Sequence, residues 1–335
     1  MFLNKYIGWY PLFRVKARAC LLKKKVNIIN NKKQYTQLYN NSVYNEYYEM
    51  NSNLYGKLNQ PSPEFLTWLI GFSEGDGSFV RAKRGDLYFV ITQDTRDIQV
   101  LYLIQKELNM GKVIKQGKTT SRFIIQDLLG LYLISLIFNG QIRTPEKLKS
   151  YIIFVNKLND KINKGINTRK LKKFGFTNKD NLLRKININI KLRDLSLTDN
   201  WLAGFVDAEG CFHVSFLKNK MGFNILFDIT QKGKDNKEII LEKLVILFKG
   251  GRVSKHHKEN NWSYRIDGLY NVDKIINYFN KENNILYTKK YNSYFLWKYI
   301  QDEIKKRNHI DPISRQKLIN LSHSVNKYSE NVGKN

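Results

Sequence analysis

Cysteine is nearly missing from this chain: Cys20 and Cys211 are the only two in 335 residues. That excludes a disulfide framework and a four-cysteine zinc site, and it is compatible with a reducing compartment. Histidine is also scarce, at five. His256 and His257 are neighbours and Cys211 with His213 forms a lone pair, so nothing has the spacing of a zinc site. No apolar run reaches the roughly 18 residues of a membrane helix; the nearest is Leu128 to Phe138, and no membrane partner is expected. Acid is short as well, with 29 Asp and Glu against 57 Lys and Arg and a formal charge of +28. A mostly folded chain with that surplus calls for a polyanionic partner, nucleic acid first, with a merely basic solvated surface as the bland alternative.

The shortage is extreme at the amino terminus. Met1 to Asn45 has no acidic residue but carries Arg14, Lys16, Arg18 and Lys23 to Lys25. It lacks the serine enrichment of a transit peptide, so an import signal and a translated leader both stay open. The abundance of Lys, Asn, Ile, Tyr and Phe is what A/T-rich codons produce, which hints at an organellar gene and a mitochondrial location.

What the chain does contain is an internal repeat. Trp68-Leu-Ile-Gly-Phe-Ser-Glu-Gly-Asp-Gly-Ser-Phe79 matches Trp201-Leu-Ala-Gly-Phe-Val-Asp-Ala-Glu-Gly-Cys-Phe212 at an offset of 133. Ile91-Thr-Gln93 then matches Ile229-Thr-Gln231 at 138, and Gly111-Lys-Val113 matches Gly251-Arg-Val253 at 140. Offsets that grow slowly are what small loop insertions produce, and missing such a repeat would misread the fold.

Within each copy the period changes. Thr67 to Glu74 and Thr198 to Asp207 read as short helices, the second with Thr198 or Asp199 as cap. Gly77 and Gly210 are expected to end them in the left-handed conformation. Period-two alternation follows: Phe212, Val214 and Phe216, then Phe223, Ile225, Phe227 and Ile229, with Leu87, Phe89 and Ile91 as the first-copy echo. That is a hairpin with one apolar and one wet face. A helix, two more strands and closing helices complete an αββαββα unit. The predicted fold is therefore α+β, two pseudo-symmetric αββαββα repeats with antiparallel sheets. The predicted divisions are a basic extension over 1–62, repeats over 63–160 and 197–310, a polar basic linker over 161–196 and a tail over 311–335. Strand or helix is left open around Lys185 to Leu192.

Small residues at spacing four, Gly71 with Gly75 and Gly204 with Ala208, let the two short helices approach closely at a helix interface. Docked as a pair, they would bring Asp76 and Glu209 together. A carboxylate in a last helical turn is disfavoured by roughly 0.3 to 1 kcal/mol. Two of them also repel, so a cation is required. Mg²⁺ is the natural one, since it takes carboxylate and phosphate oxygens and keeps waters. Glu74 and Asp207, two residues earlier and turned by about 200°, are expected to cap or stabilise.

Leu69-Ile-Gly-Phe-Ser-Glu-Gly-Asp-Gly77 and Leu202-Ala-Gly-Phe-Val-Asp-Ala-Glu-Gly210 resemble the two signature motifs of the LAGLIDADG homing endonucleases, over about residues 63 to 305. The resemblance implies a saddle-shaped monomer whose concave sheets hold double-stranded DNA. It implies cleavage of both strands across the minor groove, with short 3′ overhangs, and divalent metal on Asp76 and Glu209. It assigns Gln93 and Gln231 to water near the metals and Lys289 to a supporting basic role. In the first repeat Pro145 is the direct equivalent of Lys289, so either Lys147 substitutes or the half-sites are unequal. The family also includes maturases, so group I intron RNA stays open as a second partner. For DNA, the outward residues of the alternation become the reading surface. These are Val80, Ala82, Arg84, Tyr88 and Thr92 in one half, and His213, Ser215, Asn224, Asp228 and Thr230 in the other. Gln116, Lys118, Ser254, His256 and Lys258 join them from the inner strands.

Overall fold

The computed structural model describes residues 43–55, 60–164, 183–218, 221–256 and 259–327. The chain divides into two compact units, 1–50 and 51–335. Of the first, only 43–50 are described, including the start of helix α1 (Asn45–Tyr55).

The second unit carries the repeat. Its first half runs α2 (Pro63–Asp76), β1 (Gly77–Arg81), β2 (Leu87–Asp94), α3 (Ile98–Leu108), β3 (Lys112–Lys115), β4 (Thr120–Ile125), α4 (Leu128–Phe138) and α5 (Pro145–Asn163). Its second half runs α6 (Trp201–Glu209), β5 (Gly210–Phe216), β6 (Phe223–Lys232), α7 (Glu242–Phe248), β7 (Arg252–Lys255), β8 (Asn261–Asp267), α8 (Asp273–Phe279) and α9 (Lys290–Lys305). A further helix, α10 (Pro312–Ser322), opens the segment read from sequence as a tail. Each half holds one antiparallel four-stranded sheet, in the orders β1-β2-β4-β3 and β5-β6-β8-β7. The α+β architecture is the predicted one. Lys185 to Leu192 forms neither strand nor helix. The stretch Lys170 to Lys173 lies outside the described residues.

Some of the helices start where a side chain takes up an unpaired amide. Ser62 Oγ accepts from Phe65 N at 3.1 Å ahead of Pro63, which has no N–H to satisfy. Asp199 Oδ1 takes Trp201 N at 3.1 Å, although the cap position itself is Asn200. The helix ends differ from expectation. Gly77 and Gly210 are extended, with φ of −96° and −77°, not left-handed. Glycine is needed there for space: a Cβ on Gly77 would stand 2.7 Å from Ser73 O, and one on Gly210 would stand 2.6 Å from Val206 Cγ1.

Both sheets bury one face under helices, and the same aromatic cluster is built twice. Phe79 meets Phe89, Phe138, Tyr151 and Phe154 with ring centroids 5.1 to 5.3 Å apart. Phe212 meets Phe227, Phe279, Tyr294 and Trp297 at 5.2 to 6.0 Å. These large rings supply much of the apolar burial that holds helices to sheets. At the tip of the second sheet, Arg315 of α10 donates to the carbonyls of Leu217, Met221 and Gly222 at 3.1 to 3.2 Å and stands over the Phe216 ring. The β5–β6 turn is braced in this way.

Candidate active site and nucleic-acid interface

The site is built on the contact between α2 and α6. At Gly71 a Cβ would come within 2.0 Å of Trp201 O, and at Gly204 within 1.9 Å of Trp68 O. The backbones touch where glycine removes the side chain, once from each repeat. Gly75 faces Ala208 in the same seam, where an added Cβ would lie 2.3 Å from Ala208 Cβ and 3.3 Å from Glu209 Oε1.

On either side of the crossing the repeats exchange hydrogen bonds. Trp68 Nε1 donates to Asp207 Oδ2 at 2.9 Å, and Trp201 Nε1 donates to Glu74 Oε1 at 2.7 Å. Each carboxylate also anchors its own repeat. Glu74 accepts from Arg143 N at 3.1 Å and Thr144 N at 2.6 Å, just ahead of α5. Asp207 accepts from Tyr287 N at 2.7 Å and Thr288 N at 3.2 Å, just ahead of α9. Burial pushes both acids up, Asp207 to about 6, against the opposing pull of these donors. Glu74 and Asp207 thus lock the helix pair to the helices that follow. Removing one donor from a buried carboxylate costs about 1–3 kcal/mol. Trp201→Phe should therefore lose that much stability in urea unfolding; an unchanged midpoint and slope would mean the indole bond contributes nothing.

The same crossing sets Asp76 and Glu209 at neighbouring helix ends. Burial raises both carboxyls above their ordinary range, and Asp76 raises Glu209 further by like-charge repulsion. Gln93 Nε2 donates to Asp76 Oδ2. Gln231 lies beside Glu209 and favours its ionised form, while its amide donates to Thr230 O at 2.9 Å and its carbonyl accepts from Asn236. Two lysines complete the group. Lys147 Nζ donates to Gly77 O, and Lys290 Nζ donates to Val206 O at 3.1 Å and Ala208 O at 2.7 Å. Both ammonium groups are held below the ordinary lysine range, first by burial and against the attraction of Asp76 and Glu209. A cation on the last carbonyls of α6 also complements the helix dipole.

Lys289, singled out from the sequence, is not the lysine beside the carboxylates. Its charge stands by Asp94 and Asp97, and its backbone N–H donates to Asp97 Oδ1 at 2.9 Å. Lys290 occupies the position beside Asp76 and Glu209 instead. Two adjacent lysines look alike in sequence, and only the start of α9 decides which one turns inward.

The remaining described sequence candidates sit on the outward sheet faces or in and beside the turns at the strand ends. Because Phe79, Phe89 and Phe212 are buried, the alternate positions Val80, Tyr88, Thr92, His213, Ser215, Asn224, Asp228 and Thr230 face away from the core. Ala82 and Arg84 lie in the β1–β2 turn, Gln116 and Lys118 in the exposed β3–β4 turn, and Ser254 and His256 on or beside β7. Lys258 lies outside the described residues. Register adds four basic residues that the sequence reading left out. Arg122 sits between Thr92 and Ile114, Lys112 opposite Ile124, and Arg265 between Asp228 and Arg252. Carrying the period-two alternation through the inner strands would have found them. In the second sheet these cations are paired, Arg252 with Asp267 at 2.8 Å and Arg265 with Asp228 at 3.4 Å. In the first sheet Arg122 Nε donates to Gln116 Oε1 at 2.8 Å.

Comparison with known proteins gives a family. The model described as LAGLIDADG endonuclease matches residues 69–158 and 202–301. A probable intron-encoded endonuclease 4 of Neurospora crassa is 31% identical over 274 residues, 80% of this chain and 45% of the relative. The intron-encoded DNA endonuclease aI3 of Saccharomyces cerevisiae is 29% identical over 204 residues, 57% of this chain and 44% of the relative. The chain thus spans about half the length of these curated relatives. Among solved structures, the meganuclease I-SmaMI bound to uncleaveable DNA superposes with a TM-score of 0.61 at 23% identity, covering 78% of this chain and 97% of that one. The LAGLIDADG homing endonuclease I-GzeII in complex with its DNA target gives 0.59 at 21%, covering 79% and 99%. At that identity the likeness is one of fold.

Proposed function

The chain belongs to the LAGLIDADG endonuclease family, and on that premise we propose that it is an intron-encoded homing endonuclease that cuts both strands of a long DNA target. The observation that carries this reading is the meeting of Asp76 and Glu209 at the end of one helix pair, with Lys147 and Lys290 beside them. Both acids come from one chain, so a monomer suffices.

The donor set fits a hard divalent cation. Two carboxylates repel each other across a partly buried seam, and among the described residues no cluster of three His, Cys, Asp or Glu offers a softer site. Mg²⁺ suits such oxygens and leaves places for water and phosphate. Asp76 and Glu209 would hold it. Bound there, it would supply charge neutralisation at the scissile phosphates and acidify an attacking water.

The chain's own groups do the rest. Gln93 fixes the orientation of Asp76 through its amide. An ammonium has three N–H groups. Lys290 commits two of them to helix carbonyls, leaving one directed elsewhere. With Lys147 it supplies positive charge where negative charge builds on phosphate oxygens in the transition state.

The uncovered sheet faces fit the major groove as β-ribbons, reading base edges from Tyr88, Thr92, Arg122, His213, Asn224 and Arg265. Because the first face carries Val80, Val90 and Ile124 where the second carries His213, Asp228 and Arg265, the two half-sites should differ and the target should not be palindromic. Flanking lysines contact phosphates and make affinity fall steeply with salt. The Lys- and Asn-rich composition and intron-encoded relatives of fungi support an organellar intron as the coding site.

Selection for cleaved molecules from a randomised DNA library, with Mg²⁺ and with chelator, tests the reading. Expected are double-strand breaks with short 3′ overhangs at one asymmetric sequence in Mg²⁺, and binding without cutting in chelator. No enrichment in Mg²⁺, or equal cutting in chelator, would overturn it.

A further inference from the structure

The backbone leading into α9 presents four consecutive N–H groups, Tyr287 to Lys290, and side chains take all of them. Asp207 holds the first two, and Thr288 Oγ1 accepts from Lys290 N at 3.2 Å. The third, Lys289 N, donates at 2.9 Å to Asp97 Oδ1, a residue of the other repeat 192 positions away. Asp97 is 6% exposed, and Gln99 Nε2 steadies the same oxygen at 2.6 Å.

The first repeat meets the same requirement differently. Arg143 N and Thr144 N donate to Glu74, as Tyr287 N and Thr288 N do to Asp207, but the next residue is Pro145, which has no N–H to satisfy. Asp235 stands at the repeat offset of 138 from Asp97. It makes no such cross-repeat bond to the start of α5; its carboxylate meets the exposed Lys149 ammonium at 3.4 Å. Among the described residues a cross-repeat bond to the backbone at the start of the following helix therefore exists in one direction only, and it ends one residue before Lys290.

We infer that Asp97 is a positioning residue: it fixes the start of α9 from across the repeat interface and so sets the Lys290 ammonium beside Asp76 and Glu209. Its consequence for cutting rests on the endonuclease reading; its consequence for the backbone does not. Because only the second half depends on the bond, loss of Asp97 should unbalance the two strand cleavages instead of slowing both alike. Misplacement of a reacting group by about 1 Å costs on the order of a hundredfold, so the strand served by Lys290 should slow by roughly ten- to a hundredfold.

The experiment uses the full chain and supercoiled plasmid carrying the selected target. Asp97→Ala should accumulate nicked circle, with DNA affinity in chelator unchanged, and Asp97→Asn, which keeps the acceptor without the charge, should restore balanced cutting. Combining Asp97→Ala with Lys289→Pro should cost no more than Lys289→Pro alone, since proline removes the N–H that Asp97 serves. Hydrogen exchange at amides 289–292 of the free chain should speed up in Asp97→Ala and stay slow in Asp97→Asn. The inference is overturned by unchanged exchange in Asp97→Ala, by equal slowing of both strands, or by Asp97→Asn behaving like Asp97→Ala. If the unsubstituted chain cuts nothing, the endonuclease reading fails, and the exchange measurement still decides the role of Asp97.

Discussion

Asp76→Asn and Glu209→Gln are each expected to lower double-strand cutting by on the order of a thousandfold while leaving DNA affinity within a few-fold of the unsubstituted chain. Both replacements keep shape and hydrogen-bonding capacity but remove the charge that would hold a divalent cation. Binding should survive because the proposed reading surface lies on the sheets, and the folded helix pair should not lose stability, since burial raises both carboxyls and Asp76 raises Glu209 further, and each variant removes one of these two buried charges. Thermal unfolding should therefore show equal or higher stability in the same variants. Plasmid cleavage, target binding in chelator and unfolding together separate loss of chemistry from loss of fold. Full cutting by either variant would remove the carboxylates from the mechanism. Cutting of one strand only would assign each acid to its own strand.

The second large effect is on stability. Gly71→Ala and Gly204→Ala should each cost more than about 4 kcal/mol, the range reserved for severe core disruption, and valine should prevent folding. A single added carbon would stand 2.0 Å or less from a backbone carbonyl of the partner helix, with a backbone nitrogen of the same helix within 2.9 Å. Neither atom can move without separating the helices, and separation breaks both tryptophan–carboxylate bonds. Gly85 supplies the control. It has a φ of +87° and no atom within 4 Å of an added Cβ, so Gly85→Ala carries only the cost of backbone conformation, about 1 kcal/mol. Urea unfolding of the three alanine variants measures the contrast. Comparable losses at Gly71 and Gly85 would mean that helix contact is not what these glycines provide.

Much of this was legible in the chain before any coordinates. The repeat located both helices, spacing four located the contact, and the change of period after Gly77 and Gly210 located the hairpins. The orientation of Glu74 and Asp207 followed from helix geometry alone. Their indole partners did not, because Trp68 reaches Asp207 and Trp201 reaches Glu74 only after the helices cross, and no local pattern encodes a crossing. Lys290 was hidden for a related reason. The family resemblance points to Lys289, but one helix begins at Pro145 and the other at Lys290, so Lys147 and Lys290 converge from positions that do not align in the repeat. Arg122 and Arg265 needed strand register, which depends on turn lengths more than on composition. Gly77 and Gly210 mark the helix ends as expected, yet the reason is crowding against the preceding turn.

The crossed tryptophans also govern how halves of such chains can be recombined. A transplanted half brings an indole that must find a carboxylate two positions before the acid of its new partner, and a carboxylate that must receive an indole in return. Halves that keep both this reciprocal pair and the glycines at the crossing would meet these requirements of the seam whatever their sheets read. A half lacking either member would leave a charge or an N–H stranded in the driest part of the molecule. Here the Asp97 bond to Lys289 adds a further condition: a new first half must carry an acceptor at that position, and a new second half without the amide would leave the buried Asp97 carboxylate one donor short.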